Sequence, residues 1–372
     1  MEDKLVTLAI YTFEKAQILK TMLETEGVDV YIHNVNLIQP VISSGVRVRI
    51  KESDLPKALS IIESSQWLKE DVDEAKEAAK REKKILIPID FSDYSLKACC
   101  FGFNYAHSIQ AKVILLHTFF TPLSASAIPF GDTITPYQVD DDELISHMSE
   151  KAKADMEKFV KQIKNKIANK ELPDVKFTQA IEEGVPEEEI MRYSKMENPI
   201  LIIMGTRGKN KKDLDLIGSV TAEVIEMSRV PVFAVPENTH FSKIEEIQKI
   251  AFATSFDQKD LVAFDNLMKV VRYFGFEVYF IHVSEKADAW DEVKLAGIKE
   301  YFKKQYPALK SSYHIIDSSD TLVGLDNFIK KNQIDVLALS NHKRNLFSRL
   351  FNPSIARKMI FHSDTPLLVL KA

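Results

Sequence analysis

The sequence predicts an α/β protein with two doubly wound parallel-sheet domains, preceded by a small α+β domain. Short runs of almost continuous Ile, Leu and Val alternate with longer helical patterns, and this alternation occurs twice along the chain. Strands of this composition are buried on both faces, as a parallel sheet covered by crossover helices requires. The first sixty-five residues follow a different pattern and form the small domain.

Length and composition restrict the classes of protein that the chain can represent. Its 372 residues suffice for two or three domains of about 100 to 200 residues each. A net charge of -5 excludes a surface built throughout for nucleic acid, and no apolar run is long enough for a membrane helix. The amino terminus lacks a secretory signal, and the adjacent Cys99 and Cys100 cannot join distant segments. These features predict a cytoplasmic protein that binds neither nucleic acid nor membrane.

An internal repeat defines the two larger domains. Phe91 and Phe256 follow similar apolar strands, His117 and His282 end similar strands, and the two pairs have the same separation along the chain. Near the ends of the two copies, equivalent strands lie closer together in the sequence. The first copy therefore contains about thirty extra residues, which we place within residues 119–142.

The first copy, residues 84–236, alternates strands and helices, and the second copy occupies residues 248–372. A sheet wound in both directions binds its ligand beyond the carboxyl ends of the strands, where the winding reverses. The predicted strands of the first copy span residues 85–89, 113–117, 175–181, 200–204 and 232–235, and its predicted helices span 94–110, 142–168, 186–196 and 219–228.

Residues 1–66 predict a β-α-β-β-α unit with helices on one face of its sheet. Thr12 is a candidate cap for the first helix, Gly27 stops that helix, and Ser53 opens the second helix. The charged segment 67–83, in which acids and bases alternate among alanines, predicts a solvated helical linker. The predicted strands span residues 5–10, 28–33 and 46–50, and the first helix spans 12–26.

A glycine-rich stretch follows one predicted strand of the first copy. Gly205 and Gly208 allow the main chain to approach a ligand, and Gly218-Ser219 opens a helix whose free N–H groups favour an anion. The hydroxyls of Ser219 and Thr221 are candidate donors to the same anion. The alternative is that the glycines form only a turn and a helix cap. The spacing fits neither the G-x-G-x-x-G nor the G-x-x-x-x-G-K-[ST] motif.

The pattern G-x-x-G, nine residues, then G-S resembles the nucleotide-binding signature of the universal stress protein family. The stretch from Lys84 to Ser95 and the strand ending His117-Thr118 resemble the same family, which covers residues 83–236 fully and 248–372 as a degenerate copy. The resemblance implies a bound ATP, with or without Mg²⁺. Carried over by motif, the implied contacts are Pro88, Ile89, Asp90 and Thr118 for adenine, Met204 and Gly205 for ribose, and Arg207, Gly208, Gly218, Ser219, Val220 and Thr221 for the phosphates.

The second copy lacks the glycines of this motif. Lys343 replaces Gly208, and Pro353, which has no backbone donor, replaces Gly218. Two lost bonds to phosphate, at about 1.5 to 3 kcal/mol each, weaken binding by on the order of a hundredfold or more. The sequence therefore predicts one nucleotide site per chain.

Three functions fit this sequence. The first is a tandem universal stress protein in stress response or signalling, in which ATP occupancy controls association or docking of a protein partner. The second is a slow ATP hydrolase or nucleotidyl transferase that depends on Asp90, although no second catalytic carboxylate or metal-ligand cluster is evident. The third is a scaffold without nucleotide. Both copies are expected to pair, either within one chain or in a homodimer.

The roles of several other features follow less directly from the sequence. Asp90 either contacts adenine or caps the helix that begins near Asp93, and His117 and His282 are interpreted as structural. The insert at residues 119–142 is a lid, an interface or a spacer. Residues 5–62 resemble a small prokaryotic signal-transducing module, which implies a sensing or docking role without naming a ligand.

Overall fold

A computed structural model gives the fold and divides the chain into two compact units, Met1–Arg81 and Glu82–Ala372. Most of the predicted linker, 67–83, and most of the predicted insert, 119–142, lie outside the described residues. The structure describes residues 5–11, 13–33, 46–64, 82–120, 141–206, 219–254, 258–271, 275–284, 289–340 and 365–371.

The first unit is the predicted small α+β domain. Its antiparallel sheet has the order β1-β3-β2, and buried Leu19 and Leu23 of the first helix pack with Val48 and Ile50 of the central strand. Gly27 ends that helix at a φ of +75°, as its sequence position predicts. The elements are β1 (Leu5–Tyr11), α1 (Phe13–Thr25), β2 (Val30–His33), β3 (Val46–Lys51), a 3-10 turn (Glu52–Asp54) and α2 (Leu55–Ser64).

The second unit contains one ten-stranded sheet with an apolar core on each face. We call residues 82–236 the first half and residues 248–371 the second half. The first half contains β4 (Lys84–Pro88), α3 (Asp93–Ile109), β5 (Lys112–Phe119), α4 (Asp141–Ala168), β6 (Phe177–Glu183), α5 (Pro186–Glu197), β7 (Leu201–Gly205), α6 (Ser219–Met227) and β8 (Val232–Val235). The second half contains β9 (Lys249–Ala253), α7 (Gln258–Val271), β10 (Glu277–Ser284), α8 (Ala289–Gln305), β11 (Lys310–Asp317), α9 (Thr321–Asn332), β12 (Val336–Ser340) and β13 (Leu367–Leu370).

The two halves have the same strand order and join edge to edge. The order through the sheet is β11-β10-β9-β12-β13-β8-β7-β4-β5-β6, and neighbours within each half are parallel. At the junction β13 pairs with β8 in the antiparallel direction, with Leu368 opposite Phe233. The structure therefore contains the intramolecular pairing that the sequence left as one of two alternatives.

Gly205 belongs to a strand in the structure, whereas the sequence placed it at the start of a loop. The predicted strand stopped at residue 204, whereas β7 includes Gly205, which pairs with Val235 of β8. Gly205 pairs with Val235, the last residue of β8, and is therefore held by the sheet rather than by a loop. Within the described residues, no helix combines the length and apolar character needed to cross a membrane.

The connection between the halves is packed into the core. Phe241 in this segment is 1% exposed and makes an edge contact with Phe101 of α3, with ring centroids 5.8 Å apart. A 3-10 turn at Ile244–Glu246 follows, and Ser108 of α3 donates a hydrogen bond of 2.6 Å to Glu245. The connecting segment is thus anchored to the first half before β9 begins.

Tyr105 and Val270 mark the relation between the halves. Their separation along the chain is that of His117 and His282, so they occupy equivalent positions on α3 and α7. The Tyr105 hydroxyl donates to the Val270 carbonyl at 3.0 Å. A residue that contacts its own equivalent lies near the pseudo-twofold axis of an isologous interface. Burial of Tyr105, which is 1% exposed, raises the pKa of its phenol well above the ordinary range.

Replacing Tyr105 with Phe removes this hydrogen bond without changing the ring. We expect a loss of about 1 to 2 kcal/mol in unfolding free energy, because the buried carbonyl loses its donor. Urea denaturation measures the loss, and Tyr31→Phe, at a side chain that is 44% exposed, is the control with a change below about 0.5 kcal/mol. Equal stability of Tyr105→Phe and the unmodified protein would contradict the assignment.

His314 on β11 is a half-buried imidazole. Its ring stacks on Tyr279 with centroids 5.7 Å apart and contacts Phe328 of α9 at 5.1 Å. The Nε2 atom is buried and makes no hydrogen bond in the part of the chain that the structure describes. Burial lowers the pKa of His314, and attraction to the Glu277 carboxylate partly opposes that effect.

The second half should therefore lose stability in acid through His314. Its pKa is lower in the folded state, so its contribution is complete above the ordinary histidine value of about 6.5 and is lost as the pH falls through the folded value. His314→Phe cannot take up a proton. Thermal unfolding between pH 8 and pH 5 should show the midpoint of the unmodified protein falling relative to that of the variant. If the midpoints of the two proteins fell by the same amount, His314 would not be the origin of the loss of stability in acid.

Candidate functional site

The turn after β4 is organised around the Asp90 carboxylate. Its Oδ1 accepts hydrogen bonds from the Ser92 N–H at 3.1 Å, the Ser92 hydroxyl at 2.5 Å and the Ser95 hydroxyl at 2.6 Å. Ser92 caps α3 by accepting from the Ser95 N–H at 3.2 Å. The sequence left capping of this helix as the alternative role of Asp90. In the structure Ser92 is the cap, and Asp90 orients the Ser92 hydroxyl.

The main chain at the end of β4 is fixed to β5. The Ile89 N–H donates to the Leu116 carbonyl at 2.8 Å, and Nδ1 of His117 lies 2.8 Å from the Ile89 carbonyl. Because a carbonyl only accepts, Nδ1 carries the proton in this contact. The structural interpretation of His117 agrees with this geometry.

Phe91 adopts a backbone conformation that is uncommon for its residue type. Its φ is +63°, which costs on the order of 1 to 3 kcal/mol for a residue with a side chain. The Phe91 ring packs on His117 with centroids 4.2 Å apart and on Phe159 of α4 at 5.8 Å. These ring contacts offset the strain and hold the turn that carries Asp90.

The end of β7 is fixed to both neighbouring elements. The Thr206 N–H donates to the Val235 carbonyl at 3.1 Å, and the buried Thr221 hydroxyl donates to the Gly205 carbonyl at 2.8 Å. The first turn of α6 is thereby attached to the last residue of the strand. In this structure the Thr221 hydroxyl donates within the protein, and its contact with a phosphate stays a prediction.

The structure brings the described members of the predicted site to one edge of the sheet. The winding reverses between β4 and β7, so the carboxyl ends of these strands flank the crevice that α/β folds use for ligands. Arg207, Gly208 and Gly218 lie outside the described residues, and of Ser219 only its place as the first residue of α6 is described. The residues at this edge are Pro88, Ile89, Asp90, Thr118, Met204, Gly205, Val220 and Thr221.

Comparison with known proteins gives the family. The model of the universal stress protein family matches residues 82–236. A universal stress protein of Methanocaldococcus jannaschii is 31% identical over 153 residues, which span 41% of this chain and 81% of the relative. A second one from the same organism is 32% identical over 164 residues, which span 41% of this chain and 94% of the relative. The chain belongs to the universal stress protein family.

A solved structure extends the likeness in fold beyond the matched domain. The crystal structure of a universal stress protein from Archaeoglobus fulgidus covers 77% of this chain and 96% of its own chain, with a TM-score of 0.56 and 22% identity. Since residues 1–236 make up about 63% of the chain, coverage of 77% means that the shared fold continues past residue 236. The predicted fold class is confirmed.

In the second half of this universal stress protein, the first two strands are joined by the same histidine–carbonyl contact as in the first half. Nδ1 of His282 lies 2.8 Å from the Thr254 carbonyl, and both histidines contact a carbonyl 28 residues earlier in the chain. The histidine contact therefore belongs to the fold and is not specific to a ligand site. Lys343 and Pro353, on which the predicted loss of binding rested, lie outside the described residues.

Sequence reasoning missed a polar cluster beside Thr118. Glu182 of β6 is opposite Thr118 in the sheet register and accepts from the Tyr193 hydroxyl at 2.6 Å and from Arg192 at 2.7 Å. Burial and the Glu182 contact raise the pKa of Tyr193 to about 12. Gly184, with a φ of +149° and no room for a Cβ beside Glu189, makes the turn that brings α5 back. The Gly-Val-Pro sequence after the strand was the signal for this turn.

Thr221→Val tests the structural role of the hydroxyl. We expect the unliganded variant to lose about 1 to 2 kcal/mol in unfolding free energy, because the buried Gly205 carbonyl loses its donor. Urea denaturation of the nucleotide-free protein measures the loss, and Thr221→Ser should recover most of it. A variant that kept its stability but lost nucleotide affinity would instead support the phosphate contact.

Proposed function

We propose that the first half of this universal stress protein binds one adenine nucleotide, ATP with or without Mg²⁺, and that occupancy controls association with a protein partner in stress response or signalling. One observation carries the proposal. The turn that orients the Asp90 carboxylate, the end of β7 at Gly205 and the N-terminus of α6 all lie at the edge where the winding of the sheet reverses.

The adenine would lie at the ends of β4 and β5. The N–H groups of Ile89 and Asp90 already donate to Leu116 and to the Ser95 hydroxyl, so they are not assigned to the base. We assign recognition of the polar edge of adenine to the Asp90 carboxylate and the Thr118 hydroxyl. A carboxylate accepts from an exocyclic amino group, and the three donors on Oδ1 fix its direction.

The phosphates would lie at the end of β7 and the start of α6. Gly205 places no side chain at the strand end, and the bond from Thr221 holds the N-terminus of the helix beside it. Free N–H groups and the helix dipole favour an anion at that position. Among the described residues no group of three or more His, Cys, Asp or Glu side chains is suited to a metal. The proposal therefore assigns Mg²⁺ to the phosphates of the nucleotide.

Binding is supported better than turnover. A carboxylate that activates water must be directed at that water, whereas Asp90 Oδ1 is engaged by two serines of its own turn. A hydrolase or transferase would also need a second catalytic group, and the sequence offers no second catalytic carboxylate beside Asp90. We therefore assign Asp90 to recognition and to the shape of the turn.

Coupling to a partner needs a ligand that favours one conformation over another. Gly205 is paired with Val235 of β8, and β8 is the strand that joins the second half. A ligand that draws the end of β7 toward its phosphates therefore acts one strand away from the junction. We propose that this is the route by which occupancy reaches a partner surface.

Nucleotide titration of the full chain tests the proposal. Calorimetry with ATP, with and without Mg²⁺, should give one site per chain, and mass spectrometry should find an adenine nucleotide released from freshly purified protein. Gly208→Val should weaken binding by on the order of a hundredfold, since two bonds to phosphate are lost. Lys343→Val, at the equivalent position of the second half, is the matched control and should leave binding unchanged.

Two results would overturn this function. No binding of ATP, ADP or AMP by the folded chain would exclude the nucleotide. Equal loss in Gly208→Val and Lys343→Val would exclude the assignment to the first half. Measurement of complex formation with and without ATP then addresses the partner.

A further inference from the structure

The corresponding crevice of the second half contains a buried acid. Asp260, in the first turn of α7, is 4% exposed, and its carboxylate accepts from the Thr254 hydroxyl at 2.8 Å and from the Ser340 hydroxyl at 2.6 Å. Thr254 directly follows β9, and Ser340 is the last residue of β12. The carboxylate therefore bridges the carboxyl ends of two adjacent strands.

This bridge crosses the point where the winding of the second half reverses. From β9 the chain continues to β10 and β11 on one side, and to β12 and β13 on the other. The switch-point crevice of such a sheet lies between these two strand ends. We call the three side chains Thr254, Asp260 and Ser340 the acid latch.

The first half has no counterpart of the acid latch. The separation that relates His117 to His282 makes Ser95 the equivalent of Asp260 and Ile89 the equivalent of Thr254. The shorter separation near the ends of the two copies makes Gly205 the equivalent of Ser340. Ile89 and Gly205 carry no hydroxyl, so the same three positions cannot tie the two strands together through side chains.

The equivalent positions Ser95 and Asp260 differ in their hydrogen-bonding roles: Ser95 donates, whereas Asp260 accepts. Ser95 and Asp260 are both 4% exposed, so both positions face the interior at the start of the helix. In the first half Ser95 is the donor, and Asp90, from the preceding turn, is the acceptor. In the second half the acid itself occupies the interior position and points across the crevice.

We propose that Asp260 is the residue that closes the second half to nucleotides, an inference that rests on the proposed function of the first half. A phosphate placed between β9 and β12 would meet a buried carboxylate of the same charge, and repulsion between like charges is strong where water is excluded. The Ser340 side chain also fills the position that Gly205 leaves bare. The acid latch thus replaces a ligand by an internal contact between the two strands.

The proposal is tested by replacing residues of the acid latch in a chain whose first-half site is weakened by Gly208→Val. In the Gly208→Val background, the double change Asp260→Ser with Ser340→Gly gives these two positions the residue types that the first half has at Ser95 and Gly205. We expect calorimetry to show ATP binding at least about tenfold tighter than in the background alone. It should remain weaker than in the unmodified protein, because Lys343 and Pro353 stay in place.

A second variant guards against damage to the fold. Asp260→Asn with Ser340→Gly keeps the volume of the acid side chain while removing its charge, and it should also bind ATP more tightly than the background. If both folded variants bind no better than Gly208→Val, the acid latch is not what excludes the nucleotide. Failure of the unmodified protein to bind ATP would instead refute the proposed function, so the two failures are distinguishable.

Discussion

The antiparallel pairing of β8 with β13 is the contact on which the architecture of the second unit depends. Each half ends in a four-residue strand, and an unpaired strand of this kind exposes a row of backbone donors and acceptors. Pairing the two edges satisfies both rows at once and relates the halves by an approximate twofold axis. The consequences reach the helices, since one core includes Phe101 of the first half and Phe264 of the second.

The halves share a frame but differ in where they place a carboxylate. Both fasten their first two strands through a histidine ring and a carbonyl, at His117 and at His282. In one half the acid belongs to the turn and orients a helix cap, whereas in the other Asp260 lies inside the first turn of the helix and joins two strands. A shared fold that differs at a few site positions is how related domains acquire different roles.

The sequence was sufficient for the element order, for the repeated strand order and for the edge of the sheet at which the described residues of the predicted site lie. Apolar runs of four or five residues identified the buried strands, and the constant separation within the repeat related equivalent positions that the structure brings into contact at Tyr105 and Val270. These inferences succeed because burial imposes a periodic pattern on the residues themselves. The pairing of β8 with β13 was left open, because an edge strand has the same composition whichever partner it meets.

The direction of individual hydroxyls could not be obtained from the sequence. Thr221 was assigned to a phosphate from its hydroxyl and from the family resemblance. In the structure that hydroxyl donates to Gly205, and this contact depends on how closely the helix approaches the strand. Asp260 resembles any acid in a first helical turn, where the helix dipole alone would explain it. Its role becomes visible only when Ser340, eighty residues later in the chain, is placed beside it.

The strained turn at Phe91 links these observations. A positive φ at a phenylalanine persists only where neighbouring contacts hold it, and here the rings of His117 and Phe159 do so. That turn sets the position of Asp90, and Asp90 in turn sets the two serines at the start of α3. The carboxylate is therefore held in one orientation by the protein itself. In the second half the carboxylate of Asp260 is also held in one orientation, but by the Thr254 and Ser340 hydroxyls at the ends of two strands.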